Sequence, residues 1–233
     1  MSNIDIQVYG MHERDSMIAD TVKKLGLSYD NVHYEDRPNG GSCIYTAKKA
    51  WLAPIPDGVT HRVALADDVH VCTGFKEICE QIADAHPDAI ISFFPYQFEN
   101  KTKKIEGFLT PYCLAQWLYG CAVMMPVKYL EDCFTYTMDV FNDECSDEEG
   151  IKRWADTHGV QVLTTVPAIV QHIGDYSLLR KKNVVVRTEY FEENPKADWS
   201  NKNILKYTEK EWFFSNRGKK MPDVGIMTLI NNE

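Results

Sequence analysis

The sequence lacks the short motifs by which several large classes of protein bind nucleotides or metals. It has no GxxxxGK[ST], which argues against a P-loop nucleotide hydrolase, and no GxGxxG after the first predicted strand, which disfavours a dinucleotide-dependent oxidoreductase. Its seven cysteines are odd in number and include no CxxC pair. That pattern argues against a disulfide framework and a zinc site, so we interpret the cysteines as small core residues of a protein from a reducing cytoplasm.

Long apolar runs are also missing. No run approaches the roughly 18 apolar residues of a membrane span, and the polar N-terminus Met1–Asp5 lacks the pattern of a signal peptide. We therefore expect a protein without a membrane span, located in the cytoplasm. A length of 233 residues is compatible with one large α/β domain.

Positive charge is scarce over most of the chain and concentrated near its end. The net charge of −9 disfavours a generally cationic nucleic-acid binder. Between residues 180 and 220, however, eleven Lys and Arg face six Asp and Glu, and seven aromatic residues lie in the same stretch. The chain is therefore an acidic body followed by a basic, aromatic C-terminal extension.

Short apolar strands alternate with amphipathic helices along most of the chain. This alternation predicts an α/β fold with a mostly parallel central sheet and helices on both of its faces. Strands are expected near residues 4–8, 32–34, 62–66, 89–94, 119–126 and 160–163, and helices near 18–25, 44–51, 78–83, 127–140 and 146–158. The last helix is expected to begin with a capping box, Ser146-x-x-Glu149.

Two adjacent carboxylates follow the central predicted strand. The apolar run Val63–Ala66 stops abruptly at Asp67 and Asp68. In α/β proteins the carboxyl edge of the sheet is where ligands bind. Two neighbouring carboxylates repel each other, so a divalent cation with a substrate phosphate is their natural partner, although an acidic loop is the simpler alternative.

In their order, these elements resemble nucleotide-sugar-dependent glycosyltransferases of the GT-A fold, especially small bacterial and phage-encoded members. The resemblance spans roughly residues 4 to 180. It rests on Arg14, the strand and acidic pair at 63–68, the apolar strand at 89–94, the Tyr-Gly strand at 119–126, the acidic helix start at 146–149 and Val-Gln-His-Ile-Gly at 170–174. It implies one GT-A-like domain at residues 1–180, with residues 181–233 as an extension packed on it.

The resemblance also implies a metal site. Asp68 would be a direct ligand of Mn²⁺ or Mg²⁺, and His172 would approach the same ion from a distant part of the chain. Asp67 would hold the donor ribose or a metal-bound water. Ala66-Asp67-Asp68 is not a literal Asp-x-Asp, which leaves open which carboxylate has which role.

Further residues are assigned to the two substrates by the same resemblance. Tyr9, Gly10 and Arg14 follow the first strand, where the donor base and ribose would lie. Trp117 would stack on the acceptor, since aromatic faces suit sugars and bases alike, or else pack in the core. Four basic residues are candidates for binding the donor pyrophosphate, namely Lys48, Arg180, Lys181 and Lys182. Of these, Lys181 is preferred.

The acceptor hydroxyl needs a general base. In inverting members of this fold a carboxylate at the start of an acceptor-side helix has that role. Asp147 and Glu148 occupy this position, and the sequence does not distinguish between them. Acidic residues are also favoured there by the helix dipole alone.

The function implied is a metal-dependent hexosyl- or pentosyltransferase, expected to be inverting and to use a UDP-sugar. Its acceptor would be a glycan or, as in phage DNA modification, a hydroxylated DNA base, in a bacterial or phage-infected cytoplasm. Two alternatives stay open. A nucleotidyltransferase of related fold also uses carboxylates and a metal, and a non-catalytic nucleic-acid-binding protein would account for the basic extension.

Overall fold

A computed structural model describes residues 1–37, 43–95, 110–115, 118–141, 146–178, 181–183, 185–188, 190–208 and 226–230. The helices within these ranges are α1 Asp15–Leu25, α2 Cys43–Trp51, α3 Phe75–Ala85, α4 Leu130–Phe141 and α5 Asp147–His158. All five lie where the hydrophobic periodicity predicts them.

The strands are more numerous than expected. They are β1 Ile4–Gly10, β2 Val32–Tyr34, β3 His61–Ala66, β4 Val69–Val71, β5 Ile90–Ser92, β6 Tyr112–Leu114, β7 Ala122–Pro126, β8 Val162–Thr165, β9 Val170–His172, β10 Tyr176–Ser177, β11 Lys182–Asn183, β12 Ile204–Thr208 and β13 Ile226–Ile230. Nine form one sheet in the order β13-β12-β6-β8-β5-β7-β3-β1-β2, while β4 pairs with β9 and β10 with β11.

Most strands of the large sheet point the same way. Strands β1, β2, β3, β5, β8 and β13 share one direction, and β7, β6 and β12 run against it. The α/β class and the mostly parallel sheet are therefore confirmed. The unexpected feature is β7, which lies antiparallel between β3 and β5 and brings its first residues to the edge where β3 ends.

Helices cover both faces of the sheet, as predicted. One core packs α1 and α3 against the sheet and includes Ile18, Val22, Ile78 and Ile82. The other packs α2, α4 and α5 against the opposite face and includes Ala47, Trp51, Phe134 and Trp154. The interpretation of the cysteines as core residues is confirmed for Cys72, Cys79, Cys113 and Cys133, which are buried, whereas Cys121 is half-buried.

Both faces of strand β1 are buried, although polar residues alternate with apolar ones along it. Asp5 is only 8% exposed, and it is paired with Arg62, which is fully buried. Arg62 donates from Nε to Asp5 Oδ2 at 2.7 Å and from Nη1 to the carbonyls of Trp51 and Ala53. Burying a charge is tolerable when its partner and hydrogen bonds are buried with it.

The helix ends follow the sequence with one correction. Gly26 and Gly159 end α1 and α5 in the left-handed conformation, with φ of 63° and 67°. Ser146 occupies the N-cap of α5, but its side chain makes no capping hydrogen bond. The predicted capping box is therefore wrong, because Glu149 instead pairs with Arg153 one turn later, at 2.8 Å.

The described part of the C-terminal segment lies against the same sheet. Strand β12 pairs with β6 and β13, and Tyr112 donates its hydroxyl hydrogen to the carbonyl of buried Trp199 at 2.5 Å. Residues 209–225 of the basic, aromatic stretch lie outside the described residues. Over the ranges described, no helix is long and apolar enough to cross a membrane.

Candidate active site

The acidic pair lies at an edge of the sheet where three strands meet. Strand β3 ends at Ala66, beside Tyr9 near the end of β1. The Ala66 amide donates to the carbonyl of Cys121, just before β7, at 2.8 Å. Asp67 and Asp68 follow directly and are each 5% exposed. The acidic pair therefore lies at the carboxyl end of β3, as predicted.

Asp67 is held by the turn that follows β1. Its Oδ2 accepts a hydrogen bond from the Met11 amide at 2.8 Å. A Cβ added to Gly10 would lie 2.5 Å from the carboxyl carbon of Asp67, closer than real Cβ contacts allow. Gly10 is therefore required because the Asp67 carboxylate lies against its backbone.

Arg14 joins both carboxylates. Its Nη1 donates to Asp67 Oδ1 at 2.6 Å and to Asp68 Oδ2 at 2.5 Å, while Nη2 donates to the carbonyl of Tyr176 at 2.5 Å. Burial alone would lower the pKa of Arg14, but the charges of the two aspartates outweigh it and raise that pKa. Arg14 is therefore a permanent cation at the acidic pair.

His172 reaches the same place through a small ribbon. Strand β4 begins right after Asp68 and pairs antiparallel with β9, so that Val69 lies opposite His172. The Ile173 amide donates to the backbone carbonyl of Asp68 at 2.7 Å. As a result His172 Nε2 lies 3.2 Å from Asp68 Oδ2, although the residues are far apart in sequence.

The two aspartates ionise unequally. Burial, and then the charge of Asp68, raises the pKa of Asp67, against the opposing effect of Arg14. Burial also opposes ionisation of Asp68, but the hydrogen bond and charge of His172, with the charge of Arg14, outweigh it and hold the pKa of Asp68 below its ordinary value. Asp68 is thus the carboxylate more readily available as an anionic ligand.

The Asp68–His172 pair fits a divalent cation. Two adjacent ligands of an octahedral ion with bonds of about 2.1 Å lie about 3 Å apart. The observed 3.2 Å between Asp68 Oδ2 and His172 Nε2 is close to that separation. No group of three or more His, Cys, Asp or Glu suited to a metal is found among the described residues. Two protein ligands suffice where substrate phosphates and water fill the remaining positions.

A second acidic group lies at the start of α5. Glu148 Oε2 accepts the hydrogen bond of the Gly120 amide at 2.5 Å, and the Tyr9 hydroxyl donates to the Gly120 carbonyl at 2.8 Å. A Cβ on Gly120 would lie 2.8 Å from Glu148 Oε2. Tyr9 and Glu148 are therefore brought together through the backbone of one glycine.

Asp147 is a different kind of residue from its neighbour. It is 3% exposed, whereas Glu148 is half-buried. Its Oδ2 accepts the indole hydrogen of Trp51 at 3.3 Å. Burial, and then the charge of Glu148, raises the pKa of Asp147 to about 7. Asp147 is thus a core carboxyl group, and Glu148 is the more accessible of the two.

The acidic pair and the α5 carboxylates belong to one cluster. Burial, and then the charges of Asp68, Glu148 and Asp147, raises the pKa of the Cys121 thiol, which lies among them. On the other side, the Phe94 ring is 6.4 Å from that of His172. The candidate site therefore extends continuously from the acidic pair to the start of α5.

One predicted site residue, Lys181, is described but apart from this cluster, and two further candidates lie outside the described residues. Lys181 is exposed in the turn between β10 and β11, with φ of 48°, and the contacts described for the acidic pair do not include it. Trp117, the predicted acceptor contact, and Arg180 lie outside the described residues.

Sequence reasoning missed Gly120 and Gly174 as site residues. A Cβ at Gly174 would lie 2.9 Å from the carboxyl carbon of Asp68, just as Gly120 lies against Glu148. Each glycine is close in sequence to a motif already recognised, the Tyr-Gly strand and the Val-Gln-His-Ile-Gly segment. The glycine in each motif was the sequence signal that could have indicated a close approach of a carboxylate to the backbone.

Comparisons with known proteins give little to add to this geometry. A scan against protein-family models and a search of curated proteins each gave no match. Among solved structures, the chain is similar to a mutant Drosophila beta-1,4-galactosyltransferase 7 in complex with manganese, UDP-Gal and xylobiose, with a TM-score of 0.45 and 10% identity over 89% of this chain and 86% of the other. Identity and TM-score are both too low for any assignment to depend on this likeness.

Proposed function

We propose that this protein is a metal-dependent glycosyltransferase that moves a sugar from a nucleotide diphosphate sugar to a hydroxyl acceptor. The observation that carries the proposal is the convergence of Arg14, Asp68 and His172 within hydrogen-bonding distance at the end of β3. Three residues from distant parts of the chain form a mixed cationic and anionic site there. Such a site suits a diphosphate with its cation.

The donor half of the site consists of the turn after β1 and the acidic pair. Asp68 and His172 would hold Mn²⁺ or Mg²⁺, which when bound neutralises the charge that develops on the leaving diphosphate. Arg14 shares Asp68 Oδ2 with His172 and is positioned to supply a further positive charge to the phosphates. Asp67 is assigned to the ribose, with Tyr9 and Gly10 beside it and Lys181 as a more distant phosphate contact.

We assign the general base to Glu148. Its half-buried carboxylate is oriented by the Gly120 amide, whereas Asp147 is enclosed by the core and its Oδ2 is bound by Trp51. Glu148 would accept the proton of the acceptor hydroxyl as that oxygen attacks the sugar. One displacement assisted by one base inverts the anomeric centre.

The identity of the substrates stays a prediction from the sequence. The donor is expected to be a UDP-sugar, and the acceptor a glycan or a hydroxylated DNA base. Residues 1–180 would carry the base and the donor residues other than Lys181, with 181–233 packed on the same domain. The pairing of β12 with β6 supports that arrangement.

The experiment is a screen of nucleotide sugars for slow hydrolysis in the presence and absence of Mn²⁺, combined with calorimetry of the matching nucleoside diphosphate. Asp68→Ala should abolish Mn²⁺-dependent binding, and Asp67→Ala should weaken it less. Asp156→Ala, an exposed carboxylate on α5 paired with Lys152, is the control and should behave as the wild type.

Two outcomes would contradict the proposal. Unchanged Mn²⁺-dependent affinity in Asp68→Ala would remove Asp68 from the metal site. Release of pyrophosphate from nucleoside triphosphates, without hydrolysis of any nucleotide sugar, would identify a nucleotidyltransferase instead.

A further inference from the structure

The loop after β9, together with the β4–β9 pairing, holds His172 facing Asp68. The Ile173 amide donates to the Asp68 carbonyl at 2.7 Å, and the next residue, Gly174, lies against the Asp68 carboxylate. Any displacement of this loop would change the 3.2 Å separation between Asp68 Oδ2 and His172 Nε2. The loop itself belongs to no strand, so its position depends on the individual contacts that its residues make.

Arg187 binds this loop at three points. Its Nη2 donates to the Ile173 carbonyl at 2.7 Å and to Asp175 Oδ1 at 2.6 Å, and its Nη1 donates to the Gly174 carbonyl at 3.2 Å. A planar guanidinium presents several donors in a fixed fork and can hold three acceptors at once, which an ammonium on a flexible stem does less well. The three acceptors come from consecutive residues, so the fork fixes the path of the backbone.

The backbone beside Arg187 is itself attached to β9. Gln171 donates from Nε2 to the Thr188 carbonyl at 2.8 Å and accepts from the Thr188 amide at 3.0 Å. This two-point contact imitates a strand pair, and Thr188 is only 4% exposed. Gln171 and His172 are neighbours, so the strand that carries His172 also anchors the segment that carries Arg187.

We propose that Arg187 is a positioning residue for the Asp68–His172 pair, acting through the Ile173–Asp175 loop. The inference rests on the proposed function, in which that pair holds the divalent cation. Among the described contacts, Arg187 touches neither the Asp68 nor the His172 side chain. It contacts the loop residues that adjoin His172. Residues that orient metal ligands from this layer typically change metal affinity by about 10–100-fold when they are replaced.

A simple salt bridge between Arg187 and Asp175 would be a weaker explanation. Asp175 is 74% exposed, and exposed ion pairs contribute only about 0–1 kcal/mol. If the pair mattered only as a surface salt bridge, removing either partner would have the same small effect. The two backbone carbonyls distinguish the hypotheses, because Arg187 donates to them whereas the carboxylate of Asp175 can only accept hydrogen bonds.

The experiment measures Mn²⁺ alone binding to the full chain, through paramagnetic broadening of the His172 imidazole signals in NMR spectra, with Mg²⁺ as the diamagnetic reference. Arg187→Ala should require about 10–100-fold more Mn²⁺ for half-broadening. Arg187→Lys should give an intermediate value, and the matched control Asp175→Asn should stay within about twofold of the wild type. Circular dichroism and thermal midpoints report whether each variant is folded.

A second measurement does not depend on metal. Hydrogen exchange of the Ile173 amide, which donates to Asp68, should be at least about tenfold faster in Arg187→Ala than in Asp175→Asn. If Arg187→Ala is folded and keeps either the wild-type Mn²⁺ affinity or the wild-type Ile173 exchange rate, the proposal is overturned.

Failure of the proposed function has a different signature. If Mn²⁺ does not broaden His172 even in the wild type, the metal site assigned above is wrong. The Ile173 exchange rate then decides alone whether Arg187 positions the loop.

Discussion

The buried carboxyl group of Asp147 makes the stability of the fold depend on pH. Burial raises its pKa to about 7 from an ordinary value of 3.8. In the unfolded chain the group therefore loses its proton near pH 4, and in the folded protein only near pH 7. Between these pH values the folded state binds more protons than the unfolded state. The contribution of Asp147 to the free energy of unfolding is therefore highest at low pH, where the group is protonated, and it falls as pH rises.

The magnitude follows from the two pKa values. Each pKa unit corresponds to about 1.4 kcal/mol, so ionised Asp147 costs on the order of 4 kcal/mol of folding free energy above pH 7. Asp147→Asn removes the charge while keeping an oxygen that can accept the indole hydrogen of Trp51. We expect its stability relative to the wild type to increase by on the order of 3 kcal/mol between pH 4.5 and pH 8.

The assay is urea unfolding of both proteins at the two pH values, with Asp156→Asn as the control. Asp156 is exposed on the same helix, and its replacement should change stability by no more than about 0.5 kcal/mol at either pH. A stability difference between Asp147→Asn and the wild type that does not change with pH would refute the reasoning. So would a greater stability of the wild type at pH 8.

Three further predictions test the site and its support. Glu148→Gln should lower kcat at least about 10²-fold with donor affinity nearly unchanged, while the neighbouring Glu149→Gln should keep its turnover. Steady-state kinetics measure the turnover and calorimetry measures the donor affinity. Normal turnover in Glu148→Gln would remove the base assignment. Gly174→Ala should weaken Mn²⁺ binding at least about tenfold by displacing the acidic pair, whereas Gly159→Ala, with no atom within 4 Å of the added carbon, should cost about 1 kcal/mol of stability and leave Mn²⁺ binding intact. Asp5→Ala leaves a fully buried guanidinium unpaired and should cost about 3–5 kcal/mol in denaturant unfolding, and a loss below about 1 kcal/mol would contradict this account.

The acidic pair and the helices could be predicted from the sequence because their signals are local. The apolar run of β3 ends at Asp67 and Asp68 without an intervening turn residue, and the fold places the pair at the edge where that pattern predicts it. Helix α5 begins and ends where its acidic start and Gly159 indicate. Hydrophobic periodicity over eleven or twelve residues is strong enough to survive tertiary context.

The features that were missed depend on partners far away in sequence. Strand β4 has three residues, too few for any periodicity, and exists because it pairs with β9. The direction of β7 is equally unreadable, since an apolar strand has the same composition whether its neighbours are parallel or antiparallel. The burial of Asp5 could not be predicted either, because its buried partner, Arg62, comes 57 residues later.

The reversed direction of β7 has a consequence for how this protein can be redesigned. At the site edge β1 and β3 are leaving the sheet, whereas the chain at Gly120 is about to enter it. The segment leading to Gly120 is held on both sides, upstream by the pairing of β6 with β8 and downstream by the pairing of Ala122–Pro126 with β3 and β5. Substitutions before Tyr119 that keep the loop length and leave Leu118 in the core should preserve the positions of the turn after β1 and the acidic pair. Under the proposed function, in which Trp117 is assigned to the acceptor, such substitutions would offer a way to change the acceptor while retaining the donor.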